Sequence, residues 1–149
     1  LLEAAFGARA AFFVPPRDRV SRPALEEIRK RYAGVCMSRF PHGLIPARLW
    51  PRFLLNKRNG RMTMRWGRFL LVQHPGVDFS FPSVRTGADA EEALDSVADA
   101  LVLPVHSWRF FDDKGRAVKS LLDPWEEFLK RLSGTEGIRF TTLSGLADR

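Results

Sequence analysis

The chain has few of the residues on which the most easily recognised site types depend. Of its 149 residues only one, Cys36, is a cysteine, which excludes an internal disulfide and a cluster of thiolate metal ligands. Because Cys36 lies among apolar neighbours, we expect a buried, inert thiol. No apolar run approaches the roughly 20 residues that a membrane-spanning helix needs. The sequence therefore predicts a soluble protein, and we favour the cytoplasm as its compartment.

Several catalytic and cofactor motifs are also missing from the sequence. No Gly-rich phosphate loop follows a predicted strand, which argues against nucleotide binding. No His-x-x-x-His sequence has the spacing of a metal site. The stretch Leu143-Ser144-Gly145 lacks one of the flanking glycines of a serine nucleophile elbow. Chemistry therefore has to come from residues that the fold brings together from separate segments.

Charge and composition leave two interpretations of the surface. Hydrophobic residues make up 45% of the chain and charged residues 28%, as in globular domains, and the net charge is +7. The basic residues are scattered except in residues 48–68, where Arg and Lys alternate with Trp50, Phe53 and Trp66. This stretch indicates either a solvated Arg-rich surface, which we prefer, or a nucleic-acid binder whose aromatic rings stack on bases.

The order of apolar patterns predicts an α/β fold with a parallel sheet. A strand, a capped helix from Ser21 and a second strand form a βαβ unit. The predicted strands are residues 10–14, 35–37, 69–72, 101–105 and 138–142. The predicted helices are residues 21–33, 47–55, 89–100 and 121–132, with the end of a helix at residues 1–6 and a final turn near Ser144.

Polar or special residues stand at the ends of three predicted strands. These are Pro15-Pro16-Arg17, His74 and His106, the last at the end of the apolar run 101–105. In parallel α/β folds such strand ends meet at one edge of the sheet, where active sites lie. We therefore expect the three ends to share a pocket. His106 is either functional or a structural histidine with satisfied hydrogen bonds.

Two segments of the sequence resemble the polysaccharide deacetylase (carbohydrate esterase) family. Residues 12–21, which contain Pro15-Pro16, followed by a helix and Gly34-Val35, resemble a family strand that ends at the wall of the substrate groove. Residues 102–108, which end in His106-Ser107-Trp108, resemble the family's late Leu-x-His motif. Residues 128–143 resemble its closing helix and strand. The resemblance covers residues 1–38 and 101–149.

The resemblance implies a fold, a reaction and a set of site residues. The family fold is a distorted (β/α) barrel with seven or eight parallel strands, and the reaction removes N- or O-acetyl groups from a polysaccharide or a related sugar. A divalent metal, usually zinc, polarises the water and the acetyl carbonyl, and an aspartate acts as general base. His106 would be the catalytic general acid, Pro16 and Arg17 would line the groove, and Trp108 would stack on a sugar ring.

The resemblance also sets the expected domain organisation. We expect residues 1–149 to form one deacetylase-like domain that lacks its N-terminal metal-binding part, because the family's metal ligands precede the Pro-Pro strand. The chain begins Leu1-Leu2-Glu3, which indicates a fragment or a processed chain. The expected partner is a carbohydrate substrate, in preference to nucleic acid. The alternatives are a non-catalytic carbohydrate-binding relative and the basic nucleic-acid binder.

Overall fold

A computed structural model describes residues 10–76, 92 and 94–148. Its strands are Phe12–Phe13 (β1), Gly34–Met37 (β2), Thr63–Trp66 (β3) and Phe69–Gln73 (β4), and its α-helices are Arg22–Arg31 (α1), Trp50–Arg58 (α2), Lys119–Gly134 (α3) and Leu143–Ala147 (α4). Short 3-10 turns cover Pro16–Asp18, His42–Leu44, Ala47–Leu49 and Ser107–Phe110. The predicted α/β class is confirmed for this part of the chain. The sheet is open, with the strand order β1-β2-β4-β3.

The parallel core of the sheet has the predicted βαβ connection. Strands β1, β2 and β4 pair in parallel, with Gly34 opposite Leu70 and Met37 opposite Gln73. Helix α1 begins where the sequence predicts, because the Ser21 hydroxyl accepts a hydrogen bond from the Ala24 N–H at 3.3 Å. The apolar face of α1 then packs on the sheet, and this helix connects β1 to β2 as a crossover.

Both faces of the parallel strands are buried, as the apolar runs predict. One face carries Val35, Met37 and Leu71, which pack with Leu25 and Ile28 of α1. The other face carries Cys36, Leu70 and Val72, against which Phe12, Val102, Leu143 and Leu146 pack. The lack of a side chain at Gly34 allows the Phe12 ring to pack closely on this second face. A Cβ at Gly34 would collide with the Phe12 ring and lie 2.6 Å from the Leu70 carbonyl oxygen.

Strand β3 was not predicted from the sequence. It pairs antiparallel with β4, and the turn Gly67-Arg68 joins the two strands with Trp66 opposite Phe69. Gly67 has a φ of 63°, which a two-residue hairpin turn requires. The period-two signal is present, because Met64 and Trp66 are buried while Thr63 and Arg65 are half-buried. The surrounding arginines obscured that alternation in the sequence.

The predicted strands at residues 101–105 and 138–142 are wrong, because both segments are irregular. Strand β4 is paired on both sides, by β2 and β3, so it offers no edge to residues 101–105. Pro104 also has no N–H to donate to a ladder. In the second segment, Thr142 caps helix α4 instead, because its hydroxyl accepts a hydrogen bond from the Gly145 N–H at 3.1 Å.

The predicted helices at residues 47–55 and 121–132 are confirmed as the 3-10 turn with α2 and as α3. Helix α3 forms a second apolar cluster in which Trp125, Phe128 and Leu132 pack with Phe110. The predicted helix 89–100 lies partly, and the helix end at residues 1–6 entirely, outside the described residues. Every helix in the described ranges is too short or too polar to cross a membrane.

Candidate functional site at the carboxyl edge of the sheet

Polar residues follow each of the three parallel strands. Asp18 ends the 3-10 turn after β1, Ser38 comes directly after β2, and His74 directly after β4. Because parallel strands end at the same edge of a sheet, these residues meet there. His74 Nε2 lies 3.2 Å from Asp18 Oδ1, and the Ser38 N–H donates to the same carboxylate oxygen at 3.2 Å. One carboxylate therefore links the ends of the three strands.

The His74 ring is fixed in position and in tautomer. Its backbone N–H donates to the Met37 carbonyl at 3.0 Å, which extends the pairing of β2 with β4 by one residue. Its Nδ1 accepts a hydrogen bond from the Gly76 N–H at 3.1 Å. Because Nδ1 accepts, Nε2 is the ring nitrogen that donates a hydrogen bond to the Asp18 carboxylate. His74 is only 8% exposed, so both ring nitrogens are used inside the protein.

Asp18 remains a carboxylate in this environment. Burial raises the pKa of Asp18, but hydrogen bonds from the Ser38 hydroxyl and amide, together with the interaction with His74, outweigh burial and lower the pKa below its ordinary value. The neighbouring thiol of Cys36 responds in the opposite direction. Burial and the Asp18 charge raise the pKa of Cys36 to about 11, and the predicted burial of this thiol is confirmed.

The backbone around Asp18 adopts an unusual conformation. Arg17 and Asp18 have φ angles of 55° and 54°, in the left-handed region that L-residues other than Asn and Asp rarely enter. Gly76, with φ 82°, approaches the strand end so closely that an added Cβ would lie 3.1 Å from Ser38 Cβ. Non-glycine residues in such conformations concentrate at functional sites. The turn is therefore built to place the Asp18 carboxylate at this edge.

The structure brings together two of the three predicted strand ends. Pro16 and Arg17 are exposed at this edge, beside the Asp18 that binds His74. His106 follows the irregular segment 101–105 instead of a strand, so the geometric reason for expecting it at this edge is missing. His106 instead packs on Trp108, with the ring centroids 4.5 Å apart. Trp108 is 67% exposed and presents its ring to solvent.

Comparison of this chain with protein-family models, with curated proteins and with solved structures finds no match. The chemistry of the edge therefore has to be inferred from its own geometry.

The described residues do not fit the zinc ion that the resemblance implies. No three side chains of His, Cys, Asp or Glu in the described ranges lie close enough together to hold a metal ion. Asp18 and His74 are two donors of suitable type, but they bind each other. Structural and catalytic zinc sites need at least three protein ligands. The pair is therefore a hydrogen-bonded dyad, and no metal-dependent step is assigned to it.

Sequence reasoning missed two members of this site. Asp18 stands next to the predicted groove residue Arg17 and is the first carboxylate after a predicted strand. Ser38 directly follows the predicted strand 35–37. Their position in the sequence was therefore a usable signal, because both residues lie within about five residues of a predicted strand end and the ends of parallel strands share one edge of the sheet.

Aromatic rings in the basic stretch 48–68 are engaged in packing. Trp66 is 6% exposed, and the Arg29 guanidinium lies 4.8 Å from its ring centroid. Trp50 donates its indole N–H to the Ile45 carbonyl at 3.2 Å and packs edge-on against Phe53. Rings that stack on bases need an open face. Trp66 is therefore closed to a base, whereas Trp50 and Phe53 are half-buried.

Proposed function

We propose that this protein is a carbohydrate-active hydrolase that removes N- or O-acetyl groups from a polysaccharide or a related sugar. The observation that carries the proposal is the convergence of Asp18, Ser38 and His74 at the carboxyl edge of three adjacent parallel strands. The three parallel strands lie side by side in the order in which they occur along the chain, with the antiparallel β3 between β2 and β4 in sequence. The active sites of (β/α) barrels lie at this end of their parallel strands.

The sheet is proposed to be an arc of a seven- or eight-stranded barrel. Helix α1 covers the face that would be outside such a barrel. Among the described residues, the opposite face, with Cys36, Leu70 and Val72, is covered by Phe12, Val102 and the short helix α4 and not by a long helix. Further strands would pair with β1, since β3 already covers the outer edge of β4.

The site residues divide into sugar-binding and reacting groups. The Asp18 carboxylate, with a side chain 32% exposed, can accept hydrogen bonds from sugar hydroxyls, and bonds to an ionised acceptor are the strong ones. Pro16 and Arg17 stand beside it as a groove wall, and the exposed ring of Trp108 suits the apolar face of a sugar. As the resemblance implies, water would lose a proton to the family's aspartate general base as it adds to the acetyl carbon. The C–N or C–O bond would then break while His106 donates a proton to the departing amine or alcohol, and acetate would be released.

Acetate release from a tetramer of N-acetylglucosamine tests the proposal. In the complete domain that the resemblance implies, with its divalent metal, we expect acetate release and a loss of at least about 100-fold in His106→Ala, which is the usual contribution of a general acid. Trp108→Ala should weaken oligosaccharide binding by roughly two- to tenfold, the value of one aromatic contact. Phe111→Ala, a change at another exposed aromatic of the same segment, is the control and should leave binding unchanged. No acetate release and no binding would contradict the proposal.

One observation favours a second candidate, a non-catalytic carbohydrate-binding protein. Both ring nitrogens of His74 are committed, and a carboxylate with a lowered pKa, such as Asp18, is a poor proton acceptor. Such a dyad can hold a sugar without reacting with it. This candidate predicts oligosaccharide binding that depends on Trp108 and Asp18. It also predicts that neither the wild-type protein nor His106→Ala releases acetate.

A further inference from the structure

A cleft of about 290 Å³ opens beside β3. Helix α2 contributes Arg52 and Asn56 to its wall, and strand β3 contributes Arg65. The wall also includes Arg61 from the segment before β3, Asp99, and Leu146 from α4. The volume is just below the roughly 300–1,000 Å³ range of small-molecule sites. The cleft is therefore of a size for a ligand no larger than a monosaccharide.

Regular structure points the arginines into this cleft. Arg52 and Asn56 are one helical turn apart, so they share a face of α2. On β3, Thr63 and Arg65 lie on the face opposite the buried Met64 and Trp66. The guanidinium of Arg65 is held in place, because its Nη2 donates to the Ala147 carbonyl at 2.8 Å. Helix α2 and strand β3 thus each contribute one arginine to the lining of the cleft.

The cationic charge in the cleft is not neutralised by its one carboxylate. Three arginines and one aspartate line the cleft, a net charge of +2. Asp99 uses Oδ1 to accept from the Met62 N–H at 2.7 Å and uses Oδ2 to accept from the Thr63 N–H at 3.1 Å. Among the described residues, none of the three arginines forms an ion pair.

We propose that this cleft binds a small ligand with one oxyanion group, a carboxylate, a phosphate or a sulfate. Guanidinium groups match such groups with paired hydrogen bonds, and Arg is the side chain best suited to them. Asn56 Nδ2 donates to the Thr63 carbonyl at 2.9 Å and the Thr63 hydroxyl donates to Asp99, so the Asn56 Oδ1 is the polar group that can contact the neutral part of the ligand. The inference does not depend on the acetyl-sugar proposal, because it uses none of the residues at the carboxyl edge.

Isothermal titration calorimetry with inorganic phosphate, sulfate and glucuronate tests the cleft, and neutral glucose is the uncharged comparison. We expect one of the three anions to bind at one site with a Kd in the millimolar range or tighter, and glucose not to bind. Binding of phosphate or sulfate identifies a phosphorylated or sulfated ligand, and binding of glucuronate alone identifies a sugar acid. Absence of binding by all three, or equal binding of glucose and glucuronate, overturns the proposal.

Substitutions separate a built site from diffuse surface charge. Arg52→Gln and Arg61→Gln should each raise the Kd about tenfold, the loss expected for one charge-assisted contact. Both side chains are exposed, so folding should be retained, and circular dichroism checks this. Arg58→Gln removes the same charge from α2 outside the cleft and should change the Kd less than twofold. An equal effect of all three substitutions would overturn the proposal.

Discussion

Replacing Asp18 with Asn tests the electrostatic account of the carboxyl edge. Asn has nearly the same shape and tolerates the left-handed backbone at this position, where φ is 54°. The substitution therefore removes the charge and leaves the geometry. The Asn carbonyl can still accept hydrogen bonds from the Ser38 N–H and from His74 Nε2, but as a neutral acceptor.

The size of the effect follows from the hydrogen bonds that the Asp18 carboxylate accepts from the Ser38 amide, the Ser38 hydroxyl and His74. A bond to an ionised group contributes about 1.5–3 kcal/mol and a neutral one about 1 kcal/mol, so each bond loses roughly 0.5–2 kcal/mol. Because the Asp18 side chain is 32% exposed, water replaces part of this stabilisation. We expect the free energy of unfolding at pH 7 to fall by about 1–2 kcal/mol.

The effect should depend on pH in a direction that the lowered pKa of Asp18 sets. A carboxyl whose pKa is lower in the folded state stabilises the fold above its unfolded pKa, about 3.9, and loses that contribution as pH falls through the folded value. The difference between wild type and Asp18→Asn should therefore be full at pH 7 and shrink progressively below about pH 4.

Urea denaturation followed by tryptophan fluorescence measures both quantities. Asp113→Asn is the control, since Asp113 is exposed and the same change there should stay within about 0.5 kcal/mol. A difference between wild type and Asp18→Asn that is equally large at pH 3 and pH 7 would refute the charge-based account. Equal stability of the wild type and Asp18→Asn at pH 7 would also refute this account.

Three further predictions concern the core and the thiol. Gly34→Ala should destabilise the fold by about 3 kcal/mol or more in urea denaturation, because the new methyl group would collide with the Phe12 ring. Gly134→Ala is the control, and it should be neutral or stabilising because its new methyl group would have no neighbour within 4 Å. Phe128→Ala should cost about 3–5 kcal/mol in the same assay, since the ring is 0% exposed; a loss below about 1 kcal/mol would contradict its place in the α3 cluster. Cys36, with its pKa raised to about 11, should react with iodoacetamide only as the protein unfolds; rapid labelling of the folded protein at pH 7 would contradict its burial.

Local patterns were sufficient for the elements whose signals lie within a few residues. The apolar runs at 35–37 and 69–72, the Ser21 cap of α1 and the amphipathic α3 all occur close to where the sequence predicts them. Each depends on periodicity or on a cap that a short stretch contains by itself. The burial of Cys36 followed from its apolar neighbours in the same way.

Pairing between distant segments was not available from local patterns. An apolar run such as 101–105 becomes a strand only if it pairs with another strand, and β4 is already paired on both sides, by β2 and β3. Strand β3 itself forms because Trp66 and Met64 find the buried face of β4. Sequence periodicity describes which face of a segment is apolar, but not which partner covers it.

The candidate site shows the same division at the level of single residues. The sequence marked the polar residues after the strands, Arg17 and His74 among them, as the place for chemistry. Asp18 and His74 are 56 residues apart, and the length of their hydrogen bond follows from the register of β2 against β4 and from the left-handed turn after β1. Composition and spacing therefore specify which side chains lie at strand ends. Strand order and backbone geometry determine which of these side chains contact one another, because a hydrogen bond depends on distances that only the folded chain defines.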